Sequence, residues 1–304
     1  MNSLKIDHIP NQEGKIAIVT GANSGLGFET TKELVKKGFL VIMACRDLKK
    51  AHEAHHKILK QFSSADLKII QIDTSSLKSV KAFADEFLKH YQKLDLLINN
   101  AGIMVPPFSL TEDGFESQFG ANYLGHFLLT GLLMSALENA KNSRVVTLSS
   151  IAHKRGKIDF EDLQFKKRNY KKWDAYGQSK LACLMFAYEL DRRLKAKSSK
   201  IISVASHPGV SLTNLWNHMP WGFKIISPVF NTFLSQSAED GAKPTLMAAL
   251  DKNVKGGEYF GPTGFNEMKG EPGKVHSTSF SKNKETAKKL WSVSEELTGI
   301  NYLD

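Results

Sequence analysis

Lys15-Ile-Ala-Ile-Val-Thr-Gly-Ala-Asn-Ser-Gly-Leu-Gly27 is the stretch that decides the fold. Lys15 to Thr20 is a short apolar run ending at glycine, the pattern of a buried strand. Phe28 to Lys37 carries a helical pattern stopped by Gly38, and Leu40 to Ala44 is a second apolar run. Strand, glycine turn, helix and strand within about thirty residues make a βαβ unit.

Gly21, Gly25 and Gly27 permit a tight turn. They also let a pyrophosphate approach backbone N–H groups at a helix start, where the dipole end is positive. Their spacing is G-x-x-x-G-x-G rather than G-x-G-x-x-G. Lying between a buried strand and an amphipathic helix, they read as a nucleotide site; a plain structural turn is the competing reading. At the end of the second strand stands Ala44-Cys-Arg46, where an NAD site usually has Asp or Glu for the ribose 2′-hydroxyl. An arginine fork suits a 2′-phosphate instead, so Arg46 favours NADP(H) over NAD(H). Asp47 takes the acidic role if the strand runs longer.

The alternation continues to the C-terminus. Helical patterns cover Asp47–Phe62, Ser76–Tyr91 (capped by Ser75 or Ser76), Thr111–Leu137, Trp173–Lys195, Ser237–Leu250 and Asn283–Leu297. Strand patterns cover Leu67–Ile72, Leu94–Ile98, Arg144–Leu148, Lys200–Ala205 and a short edge strand, Glu258–Phe260. Such alternation predicts an α/β fold, a doubly wound parallel sheet with helices on both faces. With no linker-like block and no repeat, residues 1–304 read as one domain, its core at about 14–260 followed by a helical extension.

Composition excludes several classes. Of the 304 residues, 41% are hydrophobic and 24% charged, which is ordinary for a globular protein. The net charge of +10 is spread over scattered lysines, not gathered into a nucleic-acid arm, so no nucleic-acid partner is expected. Cys45 and Cys183 make no disulfide framework and fit a reducing compartment. The polar N-terminus carries no signal-peptide core, and the longest apolar stretch, Phe127 to Leu137, falls short of a membrane span. A soluble, cytoplasmic protein without a stable membrane anchor is expected.

Chemistry gathers between Thr147-Leu-Ser-Ser150 and Tyr176-Gly-Gln-Ser-Lys180. On a helix, positions i and i+4 share a face, so Tyr176 and Lys180 point the same way. An ammonium beside a phenol stabilises the phenolate, which makes a proton donor and acceptor usable near neutral pH. A serine hydroxyl aimed at the same point can hydrogen-bond a carbonyl oxygen. The competing reading is a surface Tyr and Lys on an amphipathic helix.

Gly21-Ala-Asn-Ser-Gly-Leu-Gly27, Asp73, Asn99-Asn-Ala-Gly102, Asn122, Ser150, Tyr176-x-x-x-Lys180 and His207-Pro-Gly209 occur in that order. Together they resemble the classical short-chain dehydrogenase/reductase family over nearly the whole chain. Ala44-Cys-Arg-Asp47, Phe119 to Phe127 and the long insert between Ser150 and Tyr176 resemble its retinol dehydrogenase and WW-domain oxidoreductase branch. The resemblance implies strand order 3-2-1-4-5-6-7 and an oxidoreductase interconverting a carbonyl and an alcohol. It implies Tyr176 as the general acid and base, Lys180 as its partner and a ribose ligand, and Ser150, rather than Ser149, as the carbonyl-orienting hydroxyl. It makes Asn122 the holder of a water linking Lys180 to solvent, a role compatible with hydrogen bonding at a helix kink. Cofactor contacts are implied for Gly21, Asn23, Ser24, Gly25, Leu26, Gly27, Asp73, Thr74, Asn99, Ala101 and Gly102, and for Pro208, Gly209, Val210 and Thr213 around the carboxamide. It also implies a possible homodimer through the helices carrying Asn122 and Tyr176.

The aromatic-rich run from Leu215 to Leu234 is the family's substrate lid, with Trp216, Met219, Trp221 and Phe223 as walls of a lipophilic pocket. Core packing, or a partner or membrane patch, are the other readings of those residues. His52-Glu-Ala-His-His56 matches H-E-x-x-H, but no third ligand is evident, so no metal is expected. The charged insert Ile158–Lys172 reads as a surface flap. Two other functions stay open: a non-catalytic NADP(H)-binding scaffold or sensor, and a C=C reductase of the protochlorophyllide type.

Overall fold

The computed structural model describes residues 8–211 and 236–304. Its first half is β1 (Ile16–Thr20), α1 (Gly25–Lys36), β2 (Leu40–Cys45), α2 (Leu48–Gln61), β3 (Leu67–Gln71), α3 (Leu77–His90) and β4 (Leu96–Asn99). A broken helix follows: α4 (Ser117–Phe119), a π-helical turn (Gly120–Leu124), α5 (Gly125–Leu132) and α6 (Met134–Glu138). Then come β5 (Arg144–Leu148), a 3-10 turn (Ile151–Arg155), α7 (Lys172–Ala196), β6 (Ile202–Ser206), α8 (Ala238–Leu250), β7 (Tyr259–Pro262), β8 (Pro272–Lys274) and α9 (Lys284–Thr298).

The sheet order is β3-β2-β1-β4-β5-β6-β7-β8, the doubly wound arrangement expected, with one strand more. β1 to β7 pair in parallel. β8 adds antiparallel to β7, Phe260 opposite Lys274, so β7 is not the edge strand the sequence predicts. Pro272-Gly-Lys274 is too short and too rich in Pro and Gly to show a strand period.

Side-chain caps fix the starts of several helices. Asp47 accepts from Lys50 N, Ser76 from Ser79 N, Ser237 from Asp240 N and Asn283 from Thr286 N. The expected helix from Thr111 begins only at Ser117, because Glu116 is its cap: the carboxylate accepts from the N–H groups of Gln118 (3.0 Å) and Phe119 (2.8 Å). That carboxylate is wholly buried, and burial raises its pKa above the usual carboxylate range. Tyr170 Oη donates to it at 2.9 Å, which gives the insert before α7 a task. The insert is no free flap: Asp162, Leu163 and Phe165 are buried, and Asp162 accepts from the N–H groups of Lys166, Lys167 and Arg168.

Each face of the sheet has its own core. Leu34, Val35, Ile58 and Leu246 pack on one side with α1, α2 and α8. On the other, Phe83, Phe87, Tyr123, Phe127, Phe186 and Trp291 join α3, α5, α7 and α9. Among the described residues no helix is long and apolar enough to cross a membrane.

Candidate active site

A cleft of about 400 Å³ opens at the carboxyl ends of the strands, where the order turns back between β1 and β4. Gly21, Asn23, Ser24, Gly25, Leu26 and Gly27 form one wall. Gly25, at the start of α1, has φ +53°, and a Cβ on Gly27 would lie 2.2 Å from Gly21 O. Only glycines let this helix start sit so close to the end of β1, leaving its N–H groups open to the cleft.

Beyond that wall lie Arg46, Asp47, Lys50, Asp73 and Thr74. Asp47 Oδ1 is engaged in capping α2, and Lys50 holds its carboxyl below the usual range. β2 runs one residue past the expected Ala44, to Cys45, and both Arg46 and Asp47 line the cleft beyond it. Two cations, Arg46 and Lys50, stand there together; Lys50 carries no motif and is a site residue that the sequence reading missed. Asp73 is fixed by Ser75, whose N–H and Oγ both donate to its Oδ1, and lies 3.9 Å from Arg46.

The turn after β4 hangs on Thr20. Its Oγ1 accepts from Asn100 N (2.9 Å) and Ala101 N (2.8 Å) and contacts His126 Nε2 at 3.0 Å. His126 Nδ1 faces Asn122 O at 3.0 Å, an acceptor only, so Nδ1 carries the proton and Nε2 competes with Ile98 O, 3.3 Å away, for the single Thr20 proton. Ala101, Gly102 and Asn100 line the cleft, but Asn99 does not: it is 1% exposed and donates to Thr130 Oγ1 at 3.1 Å. Asn100 was missed because the two asparagines are adjacent and only the fold separates their directions.

Asn122 lies in the π-helical turn, a local irregularity frequent at functional sites. Its Oδ1 accepts from Ile103 N (2.8 Å), and its Nδ2 donates to Ile103 O (3.0 Å) and Ser179 Oγ (3.0 Å). The side chain therefore ties the β4 loop to α7, and only the helix-kink half of its expected role is visible. At the far end, Tyr176 and Lys180 of α7 line the cleft together, 7% and 6% exposed, a turn apart as their spacing predicts. Lys180 Nζ donates to Leu148 O at 3.1 Å, which braces it against β5.

Ser149 lines the cleft, yet its hydroxyl donates to Lys180 O at 2.8 Å and is committed. Ser150 is not itself among the residues that line the cleft: it caps the 3-10 turn at the cleft's edge, accepting from Ala152 N at 3.2 Å, and its own proton has no acceptor among the described residues. That turn is pressed on α7: a Cβ on Gly156 would lie 2.3 Å from Gly177 O. Pro208 lines the cleft; Gly209 and Val210 turn to the β7–β8 loop, with Val210 N donating to Met268 O at 2.8 Å. Thr213, Trp216, Met219, Trp221 and Phe223 lie outside the described residues. His52, Glu53 and His56 are exposed or nearly so on α2, and no cluster of three metal-ligating side chains occurs among the described residues.

The family model for short chain dehydrogenases matches residues 15–220. Mouse retinol dehydrogenase 12 is 42% identical, with 95% of this chain and 88% of that protein covered. Mouse retinol dehydrogenase 13 is 40% identical, covering 94% and 84%. A crystal structure of an uncharacterised protein from Mycobacterium paratuberculosis is 38% identical, with a TM-score of 0.82 over 99% of both chains. The chain belongs to the short chain dehydrogenase family and is an oxidoreductase of the kind that uses a nicotinamide cofactor. Within that family it falls in the retinol dehydrogenase branch.

Proposed function

We propose that this protein is an NADP(H)-dependent oxidoreductase that interconverts a lipophilic aldehyde or ketone and its alcohol, in the manner of the retinol dehydrogenases it resembles. One observation carries the reading: Tyr176 and Lys180 line the same cleft as the glycine turn and the Arg46–Lys50 pair. The cradle fits the cofactor. A helix start that only glycine can form lines the cleft and suits a pyrophosphate, and the Arg46–Lys50 pair just past β2 supports a 2′-phosphate. When bound, the nicotinamide supplies or takes up hydride.

The chain's own residues do the rest. Ser150 donates its uncommitted proton to the substrate oxygen and orients it. Tyr176 gives a proton to that oxygen in reduction and takes it back in oxidation. Lys180, fixed by Leu148 O in the same cleft as Tyr176, reaches the ribose hydroxyls. Trp173, 49% exposed, stands edge-on to the Tyr176 ring at 6.1 Å and gives a lipophilic substrate an aromatic wall. Both cysteines are buried and free, and free thiols support a reducing compartment such as the cytoplasm.

The test is a panel of aldehydes, ketones and retinoids assayed with NADPH and NADH separately. NADPH-linked reduction of long-chain or retinoid carbonyls is expected. Tyr176→Phe should lose at least about a hundredfold in kcat while still binding NADPH. NADPH binding without turnover on any carbonyl would leave the protein a scaffold or sensor.

A further inference from the structure

One side chain touches both loops at the serine end of the cleft. Glu267 lies in the turn between β7 and β8. Lys154, on the 3-10 turn that Ser150 caps, places Nζ 3.1 Å from Glu267 Oε2. His207, just past β6, places Nε2 3.4 Å from the same oxygen. Gly209 N donates to His207 Nδ1 at 3.2 Å, so the neutral ring carries its proton on Nε2, which lies within ion-pair distance of the carboxylate but outside hydrogen-bond geometry. His153 serves the same serine turn: it contacts Ser150 O through Nδ1 at 2.7 Å, and its ring and that of His207 both pack on Tyr259.

The rest of the turn grips the loop after β6. Met268 O accepts from Val210 N at 2.8 Å, and a Cβ on Gly209 (φ +65°) would lie 2.3 Å from Met268 O. Gln236 closes the other side, donating to Pro208 O at 2.7 Å while its Oε1 accepts from Gly270 N at 3.4 Å. The turn takes an uncommon backbone to do this. Asn266 and Glu267 have φ of +48° and +58°, a conformation that non-glycine residues hold only when their surroundings impose it and that often marks functional sites.

We propose that Glu267 is a positioning residue. It holds the Ser150 turn and the Pro208–Val210 loop at a fixed separation, so that the serine hydroxyl and the carboxamide-side loop meet the substrate in register. This rests on the oxidoreductase reading above. Neither Lys154 nor His207 pairs with another carboxylate among the described residues, so removing Glu267 takes away the one side chain that both loops share.

Glu267→Ala, Glu267→Gln and Lys154→Met are compared with the unaltered chain for kcat, KM, NADPH affinity and amide hydrogen exchange. Glu267→Ala should lower kcat about tenfold or more with NADPH affinity within about twofold, since small misplacement of a reacting group costs rate rather than binding. Exchange in 151–156 and 207–211 should rise together. Glu267→Gln, which keeps an acceptor oxygen, should recover most of the rate, and Lys154→Met should loosen 151–156 alone. Unchanged kcat in Glu267→Ala, or faster exchange confined to the β7–β8 turn, overturns the proposal. If the unaltered chain reduces no carbonyl, the oxidoreductase reading fails separately, and the exchange pattern still decides whether Glu267 couples the two loops.

Discussion

Neighbouring residues of the same type have different tasks here. Ser149 and Ser150 are chemically equivalent in sequence, yet one hydroxyl is spent on Lys180 O and the other keeps its proton. Asn99 and Asn100 divide the same way, one toward α5 and one into the cleft. Successive residues past a strand end point in different directions, so Asn100 and Ser149 line the cleft while Asn99 and Ser150 do not. Arg46 is the opposite case: its place one residue past β2 follows from the strand's length, and the strand is legible. Arg46→Ala should weaken NADPH binding by about tenfold to a hundredfold, the range of a charge-assisted hydrogen bond, while NADH binding holds steady. Titration of both nucleotides measures it. An unaltered ratio of the two affinities would remove Arg46 from the cofactor argument.

At the scale of elements, the site depends on α5 and α7 being held against strand ends by buried polar contacts. His126 links α5 to β1 through Thr20. Burial depresses its pKa to about 4, and burial does the same to His153 under the serine turn. An unfolded chain binds protons at these rings from about pH 6.5 downward, whereas the folded chain resists until about 4. Their stabilisation is therefore complete above about pH 6.5 and is lost as pH falls toward 4, by up to about 3 kcal/mol for each ring. Urea midpoints between pH 7.5 and 4.5 should fall steadily. His126→Gln should flatten that slope. A midpoint constant across the range would show that neither ring stays neutral in the fold. The helix boundaries around this site escaped the sequence because a buried Glu116 cap and a π-helical turn interrupt an otherwise continuous apolar period.

Across the whole molecule, α9 and the residues after it cover α5 and α7 from outside. Trp291 packs edge-on to Phe127 at 5.0 Å and stacks with Phe186 at 5.9 Å. Tyr123 Oη and Ser294 Oγ are 2.7 Å apart, and Tyr302 Oη donates to Phe127 O at 3.2 Å. The chain's own C-terminal segment thus covers part of the two helices through which a homodimer was expected. Trp291→Ala should cost about 3–5 kcal/mol, as emptying a large core site does. The urea midpoint should drop at unchanged slope, and a shift under about 1 kcal/mol would show that α9 adds little to the fold.

The sequence by itself determined the class of fold, the glycine turn, the cation after β2 and the Tyr176–Lys180 pair. Each rests on local periodicity or on spacing along a single helix, and such relations survive without knowledge of distant residues. Ser150 was already the serine that the family resemblance named, whereas which asparagine faces the cleft, what Glu116 caps and what Glu267 joins were decided only by the tertiary structure. Those outcomes depend on which acceptors and backbones arrive from far along the chain, and where the group is buried, as at Glu116 and Asn99, a partner becomes obligatory.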